Sequence, residues 1–167
     1  VVYLLGQDSL EFKKQNEFII YQGSHGDKGA EIADVILPGS AYTEKNATYV
    51  NLEGRVQRTF KTCNPPGDAK EDWKIIVALA KKMNKNLKIF DIDDVRNRLI
   101  QENKRIFSSE NEIVKNKLKK FGSKGKISTE PFELPINNFY SSDVISKSSK
   151  IMKSCINNEI DKIYKTV

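Results

Sequence analysis

The chain has 167 residues, of which 38% are hydrophobic and 30% charged. This length allows one ordinary domain with an appendage but not two full-sized enzyme domains. No apolar run approaches the roughly 18 residues needed to cross a bilayer. No signal peptide is visible and the chain begins with Val1, so we expect a fragment or a processed product.

The net charge of +6 raises nucleic-acid binding as a hypothesis. Of the 28 basic residues, however, 23 are Lys and only 5 are Arg, and Asn and Ile both outnumber Ala. Lys, Asn and Ile have A/T-rich codons, so a genomic bias explains the excess, and bidentate base recognition would favour Arg. The densest basic patch lacks interleaved aromatic side chains; it comprises Lys115, Lys117, Lys119, Lys120, Lys124 and Lys126. We therefore predict no nucleic-acid partner.

The first third of the chain carries the pattern of a parallel β-sheet. Residues 1–6 and 17–22 are short, nearly continuous apolar runs with β-branched and aromatic residues, typical of strands covered on both faces. Residues 33–37 predict a third strand, which Pro38 and Gly39 end. The loop at 24–29 then lies at the carboxyl end of the second strand, where open α/β sheets place their ligands. Two exposed strands follow around a turn at 52–54, and the Pro-rich segment 64–68 breaks the chain.

Helical patterns follow this break. Asp68 is suited to cap the first helix, whose apolar stripe comprises Trp73, Ile76, Val77, Ala80 and Met83. A second helix is predicted at 91–101, with Val95 and Leu99 facing inward. A third begins at a capping box formed by Ser109 and Glu112 and ends before Gly122.

The last part of the chain changes character. Residues 123–139 contain two prolines and no periodicity, which predicts an extended arm. An amphipathic helix is predicted at 142–164; its apolar face comprises Ile145, Met152, Ile156, Ile160 and Ile163. Because this helix has no core of its own to cover, we expect the arm and the helix to contact other subunits or a part of the same protein outside these residues.

The residues available for chemistry are few. His25, in the loop at 24–29, is a candidate acid, base or phosphate contact, or else a structural loop histidine; the loop lacks the spacing of a P-loop. Glu44 and Glu53 are conceivable as a carboxylate pair, although turn and surface roles are favoured. Cys63 and Cys155 lie far apart with no partnering histidine, which predicts neither a zinc site nor a disulfide framework. We therefore name no catalytic, cofactor-binding or metal-binding residue.

Longer motifs carry a family resemblance. Residues 18–57, 65–76 and 94–99 closely resemble the large iron-sulfur subunit of respiratory complex I, the 75 kDa or G subunit of NADH:quinone oxidoreductase. Residues 139–155 are similar to the terminal segment of its mitochondrial and alphaproteobacterial members. These separate matches occur in the family's order and cover most of the chain.

A rival resemblance is to molybdopterin oxidoreductases, which share the patterns A-D-V-x-L-P at 33–38 and N-x-E-G-R-x-Q at 51–57. Ala47 stands where those enzymes have a glycine, and its Cβ restricts the backbone approach that glycine allows. After Gln57, lysine-rich helices and an arm replace the expected glycine-rich final domain. Both departures count against a molybdenum enzyme, whose terminal part stays the alternative to the complex I subunit.

The complex I resemblance implies the end of a molybdopterin-oxidoreductase-like α/β domain at 1–90, peripheral helices at 91–122, and an arm with a terminal helix at 123–167. It implies a non-catalytic scaffold without cofactor, because the family holds its iron-sulfur clusters near the amino terminus of the whole subunit. Turn and ion-pair roles are expected for the shared motif residues Asn51, Glu53, Gly54 and Arg55. The implied partners are the amino-terminal part of the same subunit and other peripheral-arm subunits, on the matrix side of the mitochondrial inner membrane or the cytoplasmic side of a bacterial membrane.

Overall fold

A computed structural model describes residues 1–7, 13–26, 28–107, 122–131 and 138–165 of the chain. The chain divides into two compact units, Val1–Asn116 and Lys117–Val167. The described part of the first unit contains a small parallel sheet, a β-hairpin and helices, whereas the described part of the second contains only helical elements and irregular segments.

The three predicted strands of the parallel sheet are confirmed. They are β1 (Val2–Leu5), β2 (Ile19–Gly23) and β3 (Val35–Pro38), in the order β1-β2-β3 with both pairs parallel. Leu4, Tyr21 and Ile36 lie side by side in this register, and partners in register share one face of the sheet.

One face of the sheet holds the core of the first unit. Leu4, Ile19 and Tyr21 are buried there, and the partly buried side chains packed against them are Val2, Ala30, Ile32 and Ala33. The short helix α1 (Lys28–Glu31) approaches this face through Gly29. A Cβ at this glycine would lie only 2.7 Å from the carbonyl oxygen of Gln7 and 3.1 Å from the Tyr21 ring, so the close approach requires glycine.

The third strand, β3, is open to water on its apolar side chains. Val35 and Ile36 are exposed, Ile36 by 55%. The reason is position, because β3 is an edge strand with no outer neighbour among the described residues.

Asp34 ties the start of β2 to the segment before it. Its carboxylate accepts a hydrogen bond from the backbone N–H of Ile19 at 2.8 Å and pairs with the Lys14 ammonium at 2.7 Å. The hydrogen bond from Lys14 and then that from Ile19 hold the pKa of Asp34 below its usual value of 3.8.

This contact predicts an acid-labile contribution to stability. The unfolded chain protonates Asp34 more readily than the folded chain, so the stabilisation is present above pH 3.8 and lost as the pH falls through the lower folded pKa. Asp34→Asn is expected to lower stability at neutral pH, with a difference from the wild type that shrinks in acid. Thermal unfolding against pH measures this, with the exposed Asp68→Asn as control. A difference that grows on acidification would contradict it.

The predicted exposed strands form an antiparallel hairpin of β4 (Ala47–Val50) and β5 (Val56–Thr59). A short 3₁₀ turn, Tyr42–Glu44, precedes it. The hairpin closes through residues 51–55, and Gly54 there has a φ of +85°, which a residue with a Cβ rarely adopts.

The helix after the Pro-rich break begins later than predicted. Helix α2 spans Asp72–Lys82 and Glu71, not Asp68, occupies its N-cap position. The N–H of Lys70 donates to the Pro38 carbonyl at 3.1 Å, and the Lys70 carbonyl accepts from Ser40 at 2.9 Å. These bonds hold residue 70 in an extended bridge beside Gly39, so the helix cannot begin before it.

The helices of the first unit agree with the sequence pattern in part. The predicted apolar stripe of α2 is wrong in part, because Ile76 and Met83 are exposed. Helix α3 (Ile92–Glu102) confirms the second predicted helix, and Val95 and Leu99 are half-buried. The short helix α4 (Lys104–Phe107), which the pattern did not indicate, follows. The capping box of the third predicted helix lies outside the described residues.

The second unit contains a 3₁₀ turn, Phe139–Ser141, followed by α5 (Val144–Ser148) and α6 (Lys150–Lys165). The single helix predicted at 142–164 is therefore interrupted at Ser149, whose backbone is extended. The Ser149 hydroxyl accepts from the N–H of Met152 at 3.3 Å, as a capping serine does, which explains the break.

The predicted arm and the apolar face of the terminal helix are described only in part. Residues 122–131 contain no helix or strand, while 132–137 lie outside the described residues. The side chains of Ile160 and Ile163 are also outside the described set. The extended arm and the shared apolar face therefore stay predictions.

Candidate functional site

Four polar side chains meet at the carboxyl end of the parallel sheet, where open α/β folds place ligands. The Tyr3 hydroxyl donates to Gln22 Oε1, and Gln22 Nε2 donates to Asp72 Oδ1 at 3.0 Å. Lys45 Nζ pairs with Asp72 Oδ2. We call these residues the sheet-edge network; they belong to β1, β2, the residue after the first 3₁₀ turn, and the first residue of α2.

The sheet-edge network has its buried centre at Gln22 and reaches solvent at Asp72 and Lys45, whose side chains are 32% and 18% exposed. Gln22 is 0% exposed, and its amide reaches both the side chain and the backbone carbonyl of Asp72. A Cβ at Gly39 would lie 3.0 Å from Asp72 Oδ1, so this glycine gives the carboxylate its place beside the sheet. Burial, and then the negative charge of Asp72, raise the pKa of Tyr3, which keeps its hydroxyl a donor to Gln22.

Sequence reasoning missed this network. One signal was available. Gln22 follows the apolar run of β2, and a polar side chain inside a buried strand needs a hydrogen-bond partner. Its partner is 50 positions away in the chain, which periodicity does not reveal.

His25 has local contacts. Its Nδ1 lies 3.0 Å from Ser24 Oγ, and its backbone carbonyl accepts a hydrogen bond from the buried Tyr21 hydroxyl. Asp27, which the sequence placed in the same loop, lies outside the described residues. The described contacts therefore give the backbone of His25 a packing role, whereas its imidazole bonds only to a neighbouring serine among them.

The two glutamates considered as a pair serve separate turns. Glu44 accepts from the N–H of Ala41 at 2.9 Å and closes its own 3₁₀ turn. Glu53 lies in the hairpin turn, 3.7 Å from the Arg55 guanidinium, and Asn51 Oδ1 accepts from the N–H of Arg55 at 2.9 Å. The structure does not join the two carboxylates through any described contact.

The described residues contain no cluster of three or more His, Cys, Asp or Glu side chains able to hold a metal ion. Cys63 is exposed and Cys155 is half-buried. Within the same residues, no helix is both long and apolar enough to span a membrane.

Two family models match separate parts of the chain. Residues 1–82, which contain the parallel sheet, the hairpin and α2, match the family model described as molybdopterin oxidoreductase. Residues 108–155 match a second model, described as the C-terminal part of the G subunit of NADH-ubiquinone oxidoreductase.

The chain is also similar to individual proteins over more than nine-tenths of its length. The chain is 49% identical, over 98% of its length, to the mitochondrial NADH-ubiquinone oxidoreductase 78 kDa subunit of Candida albicans. It is 48% identical to the NADH-quinone oxidoreductase G subunit of Rickettsia conorii over 93% of its length, and 48% identical to the 75 kDa subunit of Reclinomonas americana over 92%. It spans 23–24% of the length of these relatives. The resemblance seen in the sequence is confirmed: most of the chain is homologous to a segment of the G or 75–78 kDa subunits of NADH-quinone oxidoreductase.

The first family model raises the question of a molybdopterin cofactor. A nucleotide-like cofactor needs free donors at the sheet edge for its phosphates. Here the Gln22 amide and the Lys45 ammonium group both bond to Asp72, and the same carboxylate fills the space beside Gly39. The described residues of the sheet edge therefore do not fit such a group.

Proposed function

We propose that the chain is a non-catalytic structural segment of the large iron-sulfur subunit of respiratory complex I, and that it supports the assembly in which electrons pass from NADH to quinone. The observation that carries the proposal is the identity of 48–49% with G and 75–78 kDa subunits over 92–98% of the chain. The sheet-edge network supports a structural role, because its polar groups satisfy one another.

The network explains how the sheet domain keeps its shape without a ligand. A single carboxylate, Asp72, joins the start of α2 to β2 through Gln22 and to the segment before the hairpin through Lys45. Buried polar groups that are fully paired hold the elements around them in one arrangement. In this proposal, the edge where a cofactor would bind instead joins β2, α2 and the segment before the hairpin to one another.

The proposal assigns the iron-sulfur clusters to another part of the subunit. The chain has two cysteines, and an ordinary cubane or binuclear cluster takes about four thiolates. The partners proposed are therefore the remaining, cluster-bearing part of the subunit and other subunits of the peripheral arm. The location proposed is the matrix side of the mitochondrial inner membrane or the cytoplasmic side of a bacterial one.

Exposed apolar side chains of the first unit support a role in assembly. Phe18 is half-exposed, Ile36 lies open on the edge strand and Leu52 at the hairpin turn is fully exposed. An edge strand and a two-stranded hairpin with apolar side chains open to water are the features that partners cover in an assembled protein.

Purification through a tag on this chain tests the proposal. We expect the tag to recover a complex that oxidises NADH and reduces quinone, and whose iron is bound entirely outside residues 1–167. Recovery of the chain without that activity, or iron bound by residues 1–167 themselves, would contradict the proposal.

The match of residues 1–82 to the molybdopterin oxidoreductase model favours a second candidate, the terminal part of a molybdenum enzyme. Elemental analysis of the same purified complex separates the two. Stoichiometric molybdenum would favour the second candidate, and its absence from an NADH-oxidising complex would favour the first.

A further inference from the structure

A groove of about 400 Å³ lies between the last turns of α2 and the segment that leads into α3. Its lining combines apolar, amide and lysine side chains; they are Val77, Lys81, Asn84, Lys85, Asn86, Leu87, Ile89 and Phe90. No carboxylate is among the described residues that line it.

The backbone around the groove is held by hydrogen bonds. The N–H of Lys85 donates to the Ala80 carbonyl at 2.8 Å, and that of Lys88 donates to the side chain of Asn86 at 2.9 Å. Arg98 of α3 donates to the carbonyl of Leu87 at 3.4 Å. The groove is therefore a shaped feature of the first unit, and a partner would meet walls that are already in place.

Lysine side chains line and flank the groove. Lys81 and Lys85 line the groove, Lys82 and Lys88 flank it, and none of the four forms an ion pair among the described residues. Phe90 is 81% exposed at the α3 end of the groove, where its N–H donates to the Asp94 carboxylate at 2.8 Å. The positive charge therefore belongs to the lysines of the groove, and an apolar groove lined by unpaired lysines suits a partner that carries carboxylates.

We infer that this groove binds an acidic segment of another polypeptide, anchored by apolar side chains between Leu87 and Phe90. The inference rests on the proposed function, because it places the chain in a multi-subunit assembly. Charge complementarity calls for carboxylates opposite Lys81 and Lys85. The concave shape favours a peptide over a flat membrane surface, and the amides of Asn84 and Asn86 suit the backbone of an extended segment.

Carbodiimide treatment of the purified complex tests this inference directly, because the reagent joins a lysine amine to a carboxylate only where the two are in contact. We expect Lys81 and Lys85 to be joined to Asp or Glu residues of one other polypeptide. The exposed Lys61 and Lys70, which form no ion pair among the described residues, serve as reference lysines. In the same complex, Lys81 and Lys85 should also acetylate more slowly than these two.

Charge reversal provides a second measurement. The double variant Lys81→Glu and Lys85→Glu is expected to lose the cross-links and to weaken retention of the chain in the complex about ten-fold, most clearly at low salt. The matched control, Lys61→Glu with Lys70→Glu, is expected to retain both. Thermal unfolding of the two double variants shows whether either change disturbs the fold.

Three results would overturn the inference. First, Lys81 and Lys85 could stay free of cross-links and acetylate as fast as Lys61 and Lys70. That result would show that no partner covers the groove. Binding to vesicles containing phosphatidylserine that is lost in the Lys81→Glu, Lys85→Glu variant would assign the groove to a membrane instead. A chain absent from the NADH-oxidising complex would remove the proposed function and this inference with it, which distinguishes that failure from the other two.

Discussion

Replacing Tyr21 with alanine is expected to destabilise the first unit by about 3–5 kcal/mol, the range for removing a large buried aromatic side chain. Tyr21 is 2% exposed and forms the centre of the core with Leu4 and Ile19. Its ring also lies against Gly29 of α1, so the cavity would open between the sheet and that helix. Urea or thermal unfolding followed by circular dichroism measures the loss.

Two matched variants separate the contributions at this position. Tyr21→Phe keeps the ring but removes the hydroxyl that donates to the His25 carbonyl, and is expected to cost about 1 kcal/mol. His25→Ala keeps that carbonyl, so its cost should stay within about 0.5 kcal/mol. A larger loss for His25→Ala than for Tyr21→Phe would show that the imidazole, rather than the backbone of the loop, matters to the fold.

Replacing Asp72 with alanine is expected to cost about 1–3 kcal/mol, because a buried amide loses its better acceptor and an ammonium group loses its carboxylate. Gln22 is fully buried and would keep only its 3.4 Å bond to the backbone carbonyl of residue 72, while the Lys45 side chain, 18% exposed, would lose its ion pair. The first turn of α2 also loses a negative charge at its positive end. Denaturant unfolding of the chain provides the measurement.

Asp68→Ala is the control for this prediction. Asp68 is exposed and precedes the helix, so its replacement should change stability by no more than about 0.5 kcal/mol. If Asp68 capped α2, as the sequence indicated, alanine there would cost about 1 kcal/mol. Equal losses of unfolding free energy for Asp72→Ala and Asp68→Ala would therefore contradict the role of Asp72 in holding α2 against the sheet.

Much of the secondary structure could be predicted because its signals are local. The three strands of the parallel sheet carry unbroken apolar runs, and the hairpin carries alternation around a glycine turn. Helix α3 begins after the N-cap residue Asp91, whose carboxylate accepts hydrogen bonds from the N–H groups of Asp93 and Asp94 at 2.9 Å. Each of these features depends on residues within a few positions of one another.

The errors arose where a distant segment competes with a local preference. Asp68 has the chemistry of a cap, yet Lys70 bonds to Pro38 and Ser40 and so delays the start of α2. The apolar face of α2 also differs from its sequence pattern, because Met83 is 64% exposed at the end of the helix. At Ser149 the competing contact is local. Its hydroxyl accepts from the N–H of Met152 and caps a new helix, so the preceding helix ends there.

The sequence by itself determined which segments form strands or helices and the relationship to NADH-quinone oxidoreductase subunits. Both depend on patterns of residues that are close together in the chain. Only the tertiary structure decided how the sheet edge is closed. Tyr3, Gln22, Lys45 and Asp72 are separated in the chain by 19, 50 and 27 positions along their three contacts. Hydrogen bonds and ion pairs act over about 3 Å in space, whatever the separation in the chain, so their partners emerge only when the strands and α2 have packed together.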